Sequence, residues 1–344
     1  LRERSLARGV GFQPAPGRCN QQFLSAPLPA RRPAECVTRD RIPQMLNHLT
    51  RLQTLTQAMM ERAALRPDQP AVIFIHDDGR EEIITVAQFH ARAAGYAQAL
   101  QSIGVQPEDL VVLVLKHSQT LLYAFWGAMY LGAIGSIFPF LTEKLDAQIY
   151  MERVRELVTH SRARAVITFP EFKTELSELL KFADCAVLCT EDVPEVSNVA
   201  GLAEVHWPTY DGEKIAFLQH SSGTTGLQKG VALSHRAVLN QIEAYQQAID
   251  LQSEDVIVSW LPLYHDMGLI AGFVMPLVAG VPLVLMSPFK WVRDPKTLFR
   301  AIHRHRGTLC WLPNFAYNHC ERVIRSCDID SVDLSSMRAF INCS

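Results

Sequence analysis

No two of the eight cysteines stand at Cys-x-x-Cys spacing, which removes the usual signatures of a zinc site or a thioredoxin-type centre. Eight cysteines in 344 residues are also too few for a disulfide scaffold. The sequence is expected to hold reduced, mostly buried thiols, as in a cytoplasmic protein. Charge of one sign is lacking as well. The net charge is −2, so no global basic field gathers phosphates, and nucleic acid is not the expected partner. Three familiar loops are missing: there is no complete G-x-G-x-x-G, no Walker A sequence and no G-x-S-x-G elbow. With 48% hydrophobic residues, the chain is neither disordered nor collagen-like, and it is long enough for a large core.

Residues 1–44 differ from the rest. They hold eight Arg, three acidic residues and six Pro, with no helical or strand periodicity and no apolar run of the kind a secretory signal needs. They read as a disordered or non-native leader ahead of Met45. The other end, Phe340–Ser344, reads as the inside of a strand, so the chain is expected to be a fragment.

From Arg51 onward helix and strand patterns alternate. Leu52, Leu55, Met59 and Ala63 are spaced as on a helix that Pro67 closes. Residues 71–75 and 82–86 read as a hairpin around His76–Arg80, and a helix over 87–103 stops at Gly104, a left-handed cap. The unbroken apolar run 110–115 suits a strand covered on both faces. Further runs at 165–169, 185–189, 215–218, 256–260, 283–286 and 308–312 lie between helical stretches. The pattern predicts an α/β fold with mostly parallel sheets flanked by helices. A weak internal boundary is expected near 190–212, where Glu, Asp, Pro, Ser and Asn cluster. Two stretches, 118–142 and 267–289, carry no charged side chain and are long enough to span a bilayer. Gly132, Gly135 and Pro139 interrupt the first, and Gly272, Pro276, Gly280 and Pro282 the second. Both therefore read as buried helix–turn–strand units, and no integral membrane segment is expected.

The most informative stretch runs from Ile215 to His235. An apolar strand feeds Ser221, Ser222, Gly223, Thr224, Thr225 and Gly226, then Lys229 and Gly230, then a second apolar run. Small residues let backbone N–H groups converge on an anion, hydroxyls add donors, and a lysine adds a point charge. The combination suits a polyphosphate; a plain flexible surface loop is the other reading.

Ser221-Ser-Gly-Thr-Thr-Gly-Leu-Gln-Lys-Gly230 resembles the signature of the adenylate-forming (AMP-binding) superfamily. Ser259-Trp-Leu-Pro-Leu-Tyr-His-Asp-Met-Gly-Leu269, Trp311-Leu-Pro-Asn-Phe-Ala-Tyr317 and Met337-Arg-Ala-Phe-Ile-Asn342 are similar to its fatty acyl-AMP ligase and long-chain acyl-CoA synthetase branch. The likeness runs in order from about Met45 to the last residue. It implies that 45–344 is most of a large N-terminal adenylation domain, incomplete and without the small C-terminal domain. It also implies ATP-dependent activation of a fatty acid to acyl-AMP, with Mg, and then transfer to CoA or a phosphopantetheinyl acyl carrier protein. Ser221–Gly226, Lys229 and Gly230 would bind the phosphates, with Thr224 and Thr225 on the β- and γ-phosphates. His265 and Lys229 would be the catalytic residues. Tyr264, His265, Asn314 and Phe315 would form the acyl pocket, with no metal-ligating residues in the chain itself. The family usually has Pro at the position of Gln228, and the swap removes a backbone restraint.

Other readings stay open. His265 also fits a hydrogen-bonded core residue, Phe315 and Tyr317 fit ordinary core aromatics, and Asp266 reads as the cap of the following helix. His303-Arg-His305 reads as a solvated basic face. Because the family's magnesium-binding glutamate and late catalytic lysine match no position here, chain 1–344 is expected to show no adenylation alone. A catalytically dead homologue that binds lipid or nucleotide is the alternative.

Overall fold

A computed structural model describes residues 51–140, 146–194, 211–220 and 230–343, all within the unit Ile42–Ser344. The leader therefore lies outside the described residues, as do Ser221–Lys229 and most of the stretch 190–212.

Helix α1 (Leu55–Leu65) is capped by the Thr54 hydroxyl, which accepts from the Gln57 amide. The hairpin β1 (Pro70–Ile75) and β2 (Glu81–Thr85) leads into α2 (Val86–Ser102). Thr85 and Gln88 form a capping box at its start. At its end Gly104 takes φ +87°, and the Val105 amide reaches back to the Leu100 carbonyl, the cap the sequence predicts. Then come β3 (Leu110–Val114), α3 (Gln119–Leu131), β4 (Ile134–Ile137), α4 (Ala147–Ser161), β5 (Ala165–Thr168), α5 (Pro170–Leu179) and β6 (Ala186–Cys189). The chain continues through β7 (Ile215–His220), β8 (Gly230–Ser234), α6 (His235–Ile249), β9 (Ile257–Ser259), a π-helix (Met267–Val274) and α7 (Met275–Ala279). It ends with β10 (Leu283–Met286), α8 (Pro288–Arg293), α9 (Lys296–His305), β11 (Leu309–Pro313), α10 (Asn314–Val323) and β12 (Ala339–Cys343).

Two six-stranded sheets result. The first has the order β12-β11-β9-β10-β1-β2 and the second β6-β5-β3-β4-β7-β8. Neighbours are parallel except for the hairpin pairs β1–β2 and β7–β8, one at an edge of each sheet. This is the α/β architecture expected, and β5–β6 and β7–β8 share one sheet across the stretch 190–212.

Aromatic packing ties the layers together. Phe125 of α3 meets Phe217 of β7 at 5.4 Å and Phe273 of the π-helix at 6.1 Å, while Phe89 of α2 meets Trp126 at 5.8 Å. One core cluster accordingly takes in residues from both sheets and from α2 and α3.

Both uncharged stretches resolve as helix–turn–strand. Gly132 at φ +80° separates α3 from β4, and Gly280 at φ +83° ends α7 ahead of β10. No helix among the described residues is long and apolar enough to cross a membrane. Asp266 caps the helix that follows, as expected, its side chain accepting from the Met267 amide at 2.8 Å; that helix opens as a π-helix. One expectation needs correction. The thiols are less uniformly buried than expected: Cys189 and Cys310 are buried, Cys185 and Cys320 half-buried, and Cys327 exposed, all five free.

Candidate active site

A cavity of about 630 Å³ opens where the carboxyl ends of both sheets face each other. In parallel α/β sheets that edge is the usual place for ligands, because the strands stop there and the loops diverge. The first sheet contributes the residues that follow β9, β10 and β11: Trp260 to Gly268, then Phe289 and Val292, then Phe315. The second contributes Leu115 and His117 after β3, and Ile137, Phe138 and Phe140 at the end of β4.

The wall from β9 is held rigidly. The Ser259 hydroxyl accepts from the Leu261 amide at 3.3 Å, the His265 amide donates to the Pro262 carbonyl at 3.2 Å, and the Leu269 amide donates to the His265 carbonyl at 2.8 Å. The π-helix then returns so closely that a Cβ on Gly268 would lie 2.2 Å from the Pro262 carbonyl oxygen. A Cβ on Gly272 would lie 2.7 Å from Ser259 Oγ. Only glycine permits this approach, and π-turns of this kind recur at functional sites.

Tyr264 and His265 project from that turn with ring centroids 4.8 Å apart. Burial raises the Tyr264 hydroxyl above its ordinary pKa, so Tyr264 stays a neutral hydrogen-bonding group. His265 is exposed on the cavity wall. Behind it, Trp260 stacks on Trp291 with centroids 3.6 Å apart and planes 10° from parallel. Phe315 meets both indoles edge-on, at 6.0 Å and 6.3 Å.

The structure thus brings Tyr264, His265 and Phe315 to one cavity. Asn314 is not among its lining residues; it begins α10 and accepts from the Asn342 side chain at 2.7 Å. Tyr317 is absent from the lining as well. Ser221, Ser222, Gly223, Thr224, Thr225, Gly226 and Lys229 lie outside the described residues. The two strands that bracket them are described: β7 and β8 are antiparallel neighbours, with His220 opposite Gly230. Strand β7 also runs parallel to β4 with Ser136 opposite Leu218. Strand β7 therefore ends, at His220, at the same edge of the sheet as Phe138.

His303 and His305 serve separate partners. His303 Nδ1 accepts from the Asp333 amide at 3.0 Å, and His305 Nε2 lies 3.1 Å from Glu81.

Sequence reasoning singled out neither His117 nor Phe138, Phe289 and Val292. The available signal was positional: each follows the carboxyl end of an apolar strand. His117 has its Nε2 buried without a hydrogen-bond partner among the described residues. Burial holds its pKa down at about 4, so the ring is neutral.

The chain is similar to solved structures and to sequence relatives. The fatty acyl-adenylate ligase of L. pneumophila, solved with acyl adenylate and pyrophosphate, is 28% identical with a TM-score of 0.76, over 86% of this chain and 50% of its own. The long-chain-fatty-acid–AMP ligase FadD26 of Mycobacterium marinum is 29% identical over 84% of this chain and 50% of its own length. The medium-chain-fatty-acid–[acyl-carrier-protein] ligase JamA of Moorena producens is 25% identical over 84% of this chain and 49% of its own length. The chain spans about half the length of these relatives. Residues 59–344 match the family described as AMP-binding enzyme, and the chain belongs to that family.

Proposed function

We propose that the protein takes part in ATP-dependent activation of a fatty acid carboxylate to acyl-AMP, with transfer to CoA or a carrier-protein phosphopantetheine thiol as the following step. The observation that carries the reading is the apolar cavity at the strand ends, with Tyr264 and His265 on its wall and the end of β7 at the same edge of its sheet as Phe138.

The chemistry asks little of acid–base groups. The carboxylate is already ionised, and its oxygen attacks the α-phosphorus of ATP while the bond to the pyrophosphate oxygen breaks. Catalysis is then a matter of positioning and of neutralising charge. The cavity excludes water from the alkyl chain and leaves its carboxylate at His265. Ser221–Gly226, Lys229 and Gly230 bind the β- and γ-phosphates, with backbone amides and hydroxyls as donors and Lys229 as the cation. The described residues include no group of three or more His, Cys, Asp or Glu side chains able to hold a metal ion. None of these residue roles depends on where Mg²⁺ binds.

The test is saturation binding of an alkyl carboxylic acid and of an alkyl adenylate, followed by the fluorescence of the Trp260–Trp291 stack. Saturable binding of both is expected, weakened by His265→Ala for both, and a parallel titration with ATP is expected to be weakened by Lys229→Ala. Failure of any alkyl acid to saturate the cavity overturns the reading. Fatty-acid-dependent pyrophosphate exchange by purified 1–344 is expected to be absent, and turnover would overturn that part.

A further inference from the structure

Three of the residues that line the cavity are large apolar side chains standing in solvent. Phe289 and Val292 of α8 are 46% and 52% exposed, and Phe315 of α10 is 57% exposed. Phe289 and Val292 lie at i, i+3 spacing and so share one face of α8. The two helices are neighbours. His319 Nε2 lies 3.0 Å from the Val292 carbonyl, and the Trp291 ring meets both His319 and Phe315. One apolar rim therefore runs from α8 to α10 and continues into the cavity.

The charge around this rim is mostly of one sign. Residues 288–323 hold seven Lys or Arg and two acidic residues, in a chain whose net charge is −2. Five of these cations are engaged. Arg304 faces Glu81, Arg306 faces Asp333, Lys296 and Arg300 share Asp294, and Lys290 donates to the Asp77 carbonyl. Arg293 and Arg322 differ: both are exposed, and neither reaches a carboxylate among the described residues. Arg322 donates to the Asn318 carbonyl of its own helix. Helical spacing puts Arg293 on the face of Phe289 and Arg322 on the face of Phe315, whereas Glu321 is turned away from Phe315.

Single exposed apolar residues are ordinary, but a contiguous patch bordered by polar groups marks a place of interaction. Apolar side chains flanked by free cations suit an anionic lipid surface, where the apolar groups enter the acyl boundary and the arginines meet phosphates. A protein is the other occupant such a face could take. Continuity with the cavity favours lipid. An alkyl chain passing over Phe289, Val292 and Phe315 into the cavity stays out of water throughout, and a folded partner gains nothing from that path.

We propose that the α8–α10 face docks on an anionic lipid surface, and that the cavity draws its acyl chain directly from that surface. The transfer rests on the acyl reading of the cavity; the docking does not.

The test is flotation of chain 1–344 with two kinds of vesicle, phosphatidylcholine alone and an equal mixture of phosphatidylcholine and phosphatidylglycerol. Tighter binding to the mixed vesicles is expected, declining as salt is added. Arg293→Gln and Arg322→Gln are each expected to weaken that binding about fivefold. Phe289→Ser combined with Val292→Ser is expected to weaken binding to both kinds. Arg155→Gln, on an exposed position of α4 beside the second sheet, is expected to change nothing. The arginine-rich residues 1–44 are common to every variant, so these differences read the α8–α10 face alone. A second readout is the transfer of an alkyl acid out of mixed vesicles. It is expected to slow in the Arg293→Gln/Arg322→Gln variant, whose affinity for a water-soluble short-chain acid stays that of wild type.

Absence of binding to both vesicles overturns the docking and leaves the acyl cavity standing. Binding that persists in all the α8–α10 variants, or falls equally in Arg155→Gln, overturns it too. Binding of an acidic carrier protein that the arginine variants abolish, without any binding of vesicles, assigns the face to a protein and overturns the lipid. If no alkyl acid saturates the cavity with or without vesicles, the acyl reading has failed and the proposed transfer goes with it.

Discussion

The two walls of the cavity are built on different principles. The first-sheet wall is locked. Trp260 lies on Trp291 within stacking distance, Phe315 closes the group edge-on, and the π-helix approaches through Gly268 and Gly272 at distances no side chain allows. The second-sheet wall is made of Ile137 at the end of β4 and of residues just beyond β3 and β4, His117 among them. The contrast separates two tasks. Rigid packing fixes the turn that presents Tyr264 and His265, whereas the second-sheet wall supplies mainly apolar surface.

The most severe way to break the comparison is to empty the locked wall. Trp291 is fully buried, and Trp291→Ala is expected to lower stability by about 4 kcal/mol through lost burial and a residual cavity. Chemical denaturation measures this, and a loss below about 1 kcal/mol would mean that the stack contributes little. Next in size, Gly268→Ala places a methyl group against the Pro262 carbonyl. We expect about 2–3 kcal/mol of destabilisation together with weakened acid binding, because the crowded turn carries His265. Normal affinity in the folded variant would separate the turn from the site.

The smallest effect distinguishes the walls by pH. Burial lowers the pKa of His90, His117 and His235 to about 4. The unfolded chain, with histidines near 6.5, then binds more protons than the folded one at intermediate pH. Their contribution to stability is therefore present above about pH 6.5 and is lost as pH falls toward about 4. Thermal melts between about pH 7 and 4 should show Tm decreasing, less steeply in His117→Phe than in wild type. Identical slopes would show that the ring is already protonated, or freely hydrated, in the folded protein.

Much of this architecture can be read in the sequence. Unbroken apolar runs such as 110–114 and 283–286 become central parallel strands because both faces are covered, and Gly104 marks the end of α2 because its positive φ suits glycine. The order of the motifs carried the family assignment. The site was only partly legible. Tyr264, His265 and Phe315 belong to recognisable motifs and do meet at the cavity. Asn314 belongs to one too, but its side chain turns to Asn342. Which residue of a motif faces a ligand depends on where the local turn points it, and spacing does not record that.

His117 shows the same limit from the other side. Nothing near it in the chain distinguishes it from any histidine that follows a strand. Its stacking partner, Phe74, is distant in sequence and belongs to a strand of the other sheet. The sequence by itself determined the alternation of strand and helix, the parallel sheets and the family, because periodicity and turn residues act locally. The tertiary structure alone decided the π-turn, the stacked indoles and the unpaired imidazole, because each depends on which strand ends face one another across the cavity.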